Sequence, residues 1–143
     1  MSVIDTFCHW LTPRYSAALR RCAAGRFHIL DRAAAMPAMT DLDTRRRTID
    51  RFPGYVQILS MASPPPEAVA SADEAPELAR IGNDELAALV SKIPDRFPSF
   101  VAVLPMNNLG AAVDEARRAL DQLGACGVQV FTNIAGRPLD AVG

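Results

Sequence analysis

The chain has 143 residues, half of them hydrophobic, with 22% charged and a formal net charge of -1. That composition suits one globular domain with a real core. The near-zero charge gives no field to favour nucleic acid or an anionic membrane surface. Three cysteines, Cys8, Cys22 and Cys126, are scattered with no CxxC pair, so a reducing cytoplasm is the expected home. No apolar run approaches bilayer length, and Asp5 interrupts the N-terminal stretch, so neither a membrane span nor a signal peptide is expected.

Val3 to Phe7 is short, apolar and β-branched and predicts a first strand, with Asp5 as its discordant residue. Tyr15, Ala18, Leu19 and Cys22 have helical spacing, with Gly25 as a stop. Phe27 to Leu30 is ambiguous, with a short strand as one reading, and Ala33 to Ala38 reads as loop. Thr40-Asp41 can cap a helix to about Phe52, with Leu42, Ile49 and Phe52 inward and Arg45, Arg46 and Arg47 outward. Pro53-Gly54 breaks it, and Tyr55 to Met61 predicts a second strand.

Ser63-Pro64-Pro65-Pro66 reads as loop, because proline fits neither a helix interior nor a central strand. From Asp73, with Pro76 in its first turn, a long helix aligns Leu78, Ile81, Leu86, Leu89 and Val90. Ser99 to Pro105 predicts a third strand. Asn108 caps a helix with Leu109, Ala112, Val113, Ala116, Leu120 and Leu123 on one face, and Gly124 stops it. Gly127 to Thr132 predicts a fourth strand, and Ile134 to Gly143 reads as a polar tail. Short, continuously apolar strands separated by helices predict an α/β fold of parallel (β/α) units, as one domain over 1–143.

The chemistry-bearing residues gather at strand ends. His9 ends the first strand, where a (β/α) barrel places its site. It reads either as a metal ligand or as a half-buried imidazole satisfied by a backbone carbonyl. Alternation puts Asp5, Phe7 and His9 on one face and Cys8 on the other, where a core thiol is expected. Asp5 then either orients the His9 imidazole from behind or serves as a capping or surface residue. Asn107, Asn108, Thr132 and Asn133 follow strand ends, on the face where barrel substrates bind; capping and turn formation are their other readings. There is no phosphate loop, no dinucleotide fingerprint after a strand and no serine nucleophile elbow.

Ile4-Asp5-Thr6-Phe7-Cys8-His9-Trp10-Leu11 resembles the first strand and loop of the amidohydrolase-related family that includes aminocarboxymuconate-semialdehyde decarboxylase. Gln57 to Ser60 with Ala79 to Leu86 is similar to its second unit. Pro94-Asp95-Arg96-Phe97 leading into Phe100 to Asn107 is similar to its third, and Leu123 to Asn133 to its fourth. The resemblance implies the N-terminal half of a TIM-type barrel holding a divalent metal, usually zinc, at its C-terminal face. It also implies hydrolysis or decarboxylation of a small organic acid. The family's His-x-His pair falls on Phe7 and His9, so His9 is the implied metal residue and Phe7 has no donor. A full barrel takes roughly 250 residues. Missing strands would have to come from a complementary barrel half or from a homo-oligomer. The alternative is a catalytically inactive, truncated half-barrel, holding no metal, that serves as a structural or assembly module.

Overall fold

A computed structural model describes residues 3–25 and 28–141. Its centre is a four-stranded, all-parallel sheet in the order β1 (Val3–Trp10), β2 (Tyr55–Met61), β3 (Ser99–Val103), β4 (Gly127–Gln129). Between the strands run α1 (Pro13–Ala23), α2 (His28–Ala34), α3 (Pro37–Thr40), α4 (Leu42–Ile49), α5 (Pro66–Val69), α6 (Ala75–Lys92) and α7 (Leu109–Asp121). Strand order follows chain order, as it does where (β/α) units roll into a TIM-type barrel. A small hairpin, β5 (Asn133–Ile134) with β6 (Arg137–Pro138), follows β4.

One face of the sheet and the inner faces of α1 and α6 make the core. Cys8, Trp10, Leu59, Met61, Phe100 and Ala102 are all buried there, against Tyr15, Leu19, Leu78 and Leu86. Side chains such as Leu59 and Phe100 each contribute about 1.5–3 kcal/mol by leaving water. Gly82 lets α6 approach closely. A Cβ there would stand 3.0 Å from Met61 Cε and 3.1 Å from Tyr15 Cδ2.

Polar groups fix the helices at defined points. The N-cap residue of α1, Thr12, makes no side-chain cap bond, and Glu85 of α6 accepts the free N–H groups of Arg14 and Tyr15 at 3.2 and 2.9 Å instead. Asn83 is fully buried. It donates to the Val103 carbonyl at 2.9 Å and to Glu115 at 2.7 Å, and accepts from the Val103 N–H at 2.9 Å. Arg118 closes this network with bonds to Glu115 and Asp84.

Several elements depart from the sequence expectations. The segment from His28 is helical, and Phe27 lies outside the described residues. Helix α4 is capped by Asp41, as its residue type suggests, but Arg45 is buried and Phe52 exposed, the reverse of the expected faces. In α7 the buried positions are Ala112, Glu115 and Ala119, while Leu109, Val113 and Leu120 are exposed. Glu115 points inward because Asn83 and Arg118 satisfy it. The segment after β4 makes the β5–β6 hairpin through a turn at Ala135 and Gly136, both with positive φ.

Candidate functional site at the end of the first strand

His9 lies at the C-terminal end of β1, opposite Ser60 of β2. Its Nδ1 and the Ser60 Oγ are 2.8 Å apart. His9 lines two adjoining clefts. One, of about 300 Å³, is walled by Ile29, Arg32, Ala33, Met36, Met39, Ala62 and Ser63. The other, of about 260 Å³, includes Asp5, Phe7, Cys8, Arg45 and Gln57. Phe7 is 81% exposed and meets the His9 ring edge to face, with ring centroids 4.6 Å apart. Positions 7 and 9 therefore share a face.

Asp5 does not join them. It stands opposite Gln57, its carboxylate accepts from the Phe7 N–H at 3.0 Å and from the Tyr55 hydroxyl, and Ser60 rather than Asp5 meets the imidazole. Simple alternation fails because the β1–β2 register shifts between Asp5 and Cys8. Hydrogen bonds from the Cys8 thiol, the Tyr55 hydroxyl and the Phe7 N–H hold the Asp5 carboxyl below the usual aspartate value. Cys8 is buried on the opposite face from His9. Burial, reinforced by the neighbouring Asp5, pushes its thiol up to about 12, which removes it as a thiolate nucleophile near neutral pH.

Asn107 and Asn133 line neither of the two clefts that His9 lines. Asn107 donates to the Ala70 carbonyl at 3.0 Å and keeps a buried Oδ1 without a partner. Asn133 accepts from the Gly136 N–H at 3.2 Å within the hairpin turn, and lines a cleft of about 410 Å³ with Pro65, Glu67, Ala68 and Phe131. Asn108 caps α7 through a 3.2 Å bond from the Ala111 N–H.

Sequence reasoning missed four residues here: Ser60, Arg32, Arg45 and Glu67. Arg45 carried a readable signal, because Leu42, Arg45 and Ile49 fall on one helical stripe. Arg45 is 7% exposed, and its guanidinium donates to Gln57 Oε1 at 2.7 Å and to the His9 carbonyl at 2.8 Å, and lies over the Trp10 ring. Glu67 is also buried, with one carboxyl oxygen lacking a partner, and burial raises its pKa above the usual glutamate value.

Zinc takes about three or more protein ligands. Among the described residues no three His, Cys, Asp or Glu side chains are grouped to hold a metal ion, and Phe7 offers no donor beside His9. The described donor set therefore does not by itself fit a divalent ion.

No family model matches the chain. It is 39% identical over 88 residues to the gamma-resorcylate decarboxylase of Rhizobium sp. (strain MTP-10005), covering 62% of this chain and 27% of that protein. It is 33% identical over 100 residues to the 2-amino-3-carboxymuconate-6-semialdehyde decarboxylase of Dictyostelium discoideum, covering 70% of this chain and 28% of that protein. Among solved structures, 2,6-dihydroxybenzoate decarboxylase from Rhizobium superposes with a TM-score of 0.72 at 27% identity, over 97% of this chain and 42% of that one. The 5-carboxyvanillate decarboxylase of Novosphingobium aromaticivorans superposes with a TM-score of 0.78 at 26% identity, over 98% and 44%. That structure holds manganese and 4-hydroxy-3-methoxy-5-nitrobenzoic acid, so the metal seen is manganese where zinc was expected. The chain thus spans about a quarter of the curated relatives and somewhat under half of the solved ones. Sequence and fold together make it a relative of the amidohydrolase-type decarboxylases, matching part of their TIM-type barrel.

Proposed function

We propose that this chain, acting as one unit over 1–143, supplies the acid-binding portion of a decarboxylase for small aromatic acids. The cleft of about 300 Å³ at the end of β1 carries this reading. It has the size of a small-ligand pocket. Its lining combines aliphatic and thioether side chains (Ile29, Met36, Met39) with one guanidinium, Arg32, and one imidazole, His9. An aromatic ring suits the apolar part, and a carboxylate suits Arg32. The decarboxylase relatives favour the same substrate class.

The chemistry assigned to this chain is binding and orientation. His9, held at Nδ1 by Ser60, contributes one ligand to a divalent-metal site whose other donors lie on further barrel strands. Strands β1 and β4 each have one neighbour in the sheet, and Val3, Ile4, Phe7, Val128 and Val130 are exposed. A complementary barrel half or a second copy would cover this surface. The non-catalytic assembly module is a second reading, favoured by Phe7 at the first ligand position.

Titration with 2,6-dihydroxybenzoate, followed by NMR and by release of carbon dioxide, tests the proposal. Saturable binding that perturbs His9 and weakens in Arg32→Ala is expected. Binding without carbon dioxide release would favour the non-catalytic reading, and no binding would sink the substrate assignment. Elemental analysis of wild type beside His9→Ala tests the metal role, with loss of bound metal expected in the variant. Light scattering across micromolar concentrations tests the covering of the open sheet, and a compact monomer would count against it.

A further inference from the structure

Strand β1 pairs with β2 in two registers. Asp5 stands opposite Gln57, whereas Cys8 stands opposite Leu59, so three steps along β1 match two along β2. The extra residue makes a β-bulge at Thr6-Phe7. Its consequence falls on His9. Continued without the bulge, the first register would set Phe7 opposite the fully buried Leu59 and His9 opposite the buried Met61. The imidazole would then enter the core. With the bulge, Cys8 takes the core position and His9 stands opposite Ser60, at the clefts. One residue of slip moves a side chain to the other face of a sheet.

A continuous set of hydrogen bonds spans the bulge. Within it, the Phe7 N–H donates to the Asp5 carboxylate at 3.0 Å. The Tyr55 hydroxyl donates to the same carboxylate and accepts from Gln57 Nε2 at 3.2 Å. Gln57 Oε1 accepts from Arg45 Nε at 2.7 Å. Arg45 Nη1 then donates to the carbonyls of His9 and Ala38 at 2.8 and 3.0 Å. One end of the chain grips the bulge and the other grips His9 itself. Among the described residues Arg45 makes no ion pair with a carboxylate. A buried guanidinium without one is costly, and here its Nε and Nη1 are directed at Gln57 and at the His9 and Ala38 carbonyls.

We propose that Arg45, acting through Gln57, Tyr55 and Asp5, is a positioning residue that sets the β1 bulge and thereby the face on which His9 stands. The proposal deepens the reading of His9 given above, because the imidazole reaches a ligand only from the cleft face. The placement itself is tested without any ligand.

The test compares wild type with Arg45→Gln, Arg45→Lys and a deletion of Thr6, which removes the extra residue and so leaves Cys8 opposite Leu59 and His9 opposite Ser60 without a bulge. Carbethoxylation of His9 by diethylpyrocarbonate is read against His28, which is exposed and serves as internal reference. Imidazole nitrogen shifts are recorded in parallel, and circular dichroism identifies the folded variants. The Thr6 deletion should keep the His9-to-His28 reactivity ratio near wild type and make it insensitive to Arg45→Gln, because no bulge is then needed to place His9. With Thr6 present, Arg45→Gln should lower the ratio severalfold, and Arg45→Lys, which keeps the charge but not the fork, should not restore it. A structural role alone would lower the melting temperature and leave the ratio in the folded protein unchanged. If Arg45→Gln does not fold, Tyr55→Phe cuts the same chain at its far end while keeping the guanidinium. A folded variant of either kind with wild-type ratio and shifts overturns the proposal. Failure to bind 2,6-dihydroxybenzoate leaves the ratio untouched, so the two readings fail separately.

Discussion

The His9 imidazole and the Ser60 hydroxyl are cross-strand partners, 2.8 Å apart at Nδ1 and opposite one another in the β1–β2 register. The hydroxyl occupies one ring nitrogen and so fixes the ring plane, leaving Nε2 as the nitrogen for other partners. Ser60→Ala should leave the fold intact at a cost of about 1 kcal/mol. It should also weaken manganese binding about tenfold when Phe7→His supplies a second imidazole, as loss of a ligand-orienting partner does. Calorimetric titration with manganese, beside thermal unfolding, checks both. Unchanged affinity would show that the hydroxyl does not orient the ring.

The family resemblance implies a first histidine at the position of Phe7, which is on the same face as His9 with its ring already in contact. Phe7→His should therefore place two imidazoles at one cleft. Affinity for manganese or zinc is expected to rise by at least about tenfold, since each added donor of correct geometry contributes strongly. A second change, His9→Ala in that background, should abolish the gain. No gain in Phe7→His would mean that the two positions do not converge on one ion.

Glu67 is 8% exposed and one of its oxygens has no partner. Burial raises its pKa, offset only in part by its own N–H and that of Met106. The folded state thus keeps the proton to higher pH than the unfolded chain. Stability contributed by this group falls as pH rises from the ordinary value of about 4.5 through the raised folded value. Glu67→Gln should be more stable than wild type by about 1 kcal/mol at neutral pH. The difference should shrink on acidification below the ordinary glutamate value. Urea denaturation at several pH values decides it, and a pH-independent difference would contradict the assignment.

Asn83 replaces a missing backbone partner for the end of β3 and holds Glu115 in the interior. Asn83→Leu would leave the Val103 N–H and C=O short of partners and the buried Glu115 carboxylate with Arg118 as its remaining partner. A loss of about 3 kcal/mol is expected in equilibrium denaturation. A loss below about 1 kcal/mol would show that water takes over the network.

Gly82→Ala pits two effects against each other. Alanine improves helix propensity by about 1 kcal/mol. Its Cβ would crowd Met61 Cε at 3.0 Å and the Tyr15 ring at 3.1 Å. The methionine tip can move, but the tyrosine is fully buried. Overpacking costs about 1–3 kcal/mol, so a net loss of about 1 kcal/mol is expected. A rise in melting temperature would show that the ring yields.

Much of this protein was legible from residue order. Proline and glycine breaks, Asp41 and Asn108 as caps, and four apolar runs were enough to read parallel (β/α) units, because these are local signals. The motif runs through Arg96-Phe97 and Leu104-Pro105 carried the family resemblance. The faces of the elements were decided only in three dimensions. Alternation along β1 assigned Asp5 to the side of His9, and a bulge that no local residue type announces reversed it. The outward reading of Arg45 and the inward reading of Phe52 failed for a related reason. A guanidinium becomes tolerable inside only when two strands, β2 and β1, supply Gln57 and the His9 carbonyl as acceptors. Glu115 is buried on the same terms, through Asn83 and Arg118. Hydrophobic periodicity weighs each side chain alone, whereas burial of a polar group depends on partners tens of residues away. The sequence by itself therefore determined the units and their order, and tertiary hydrogen bonding decided which side chains reach the site.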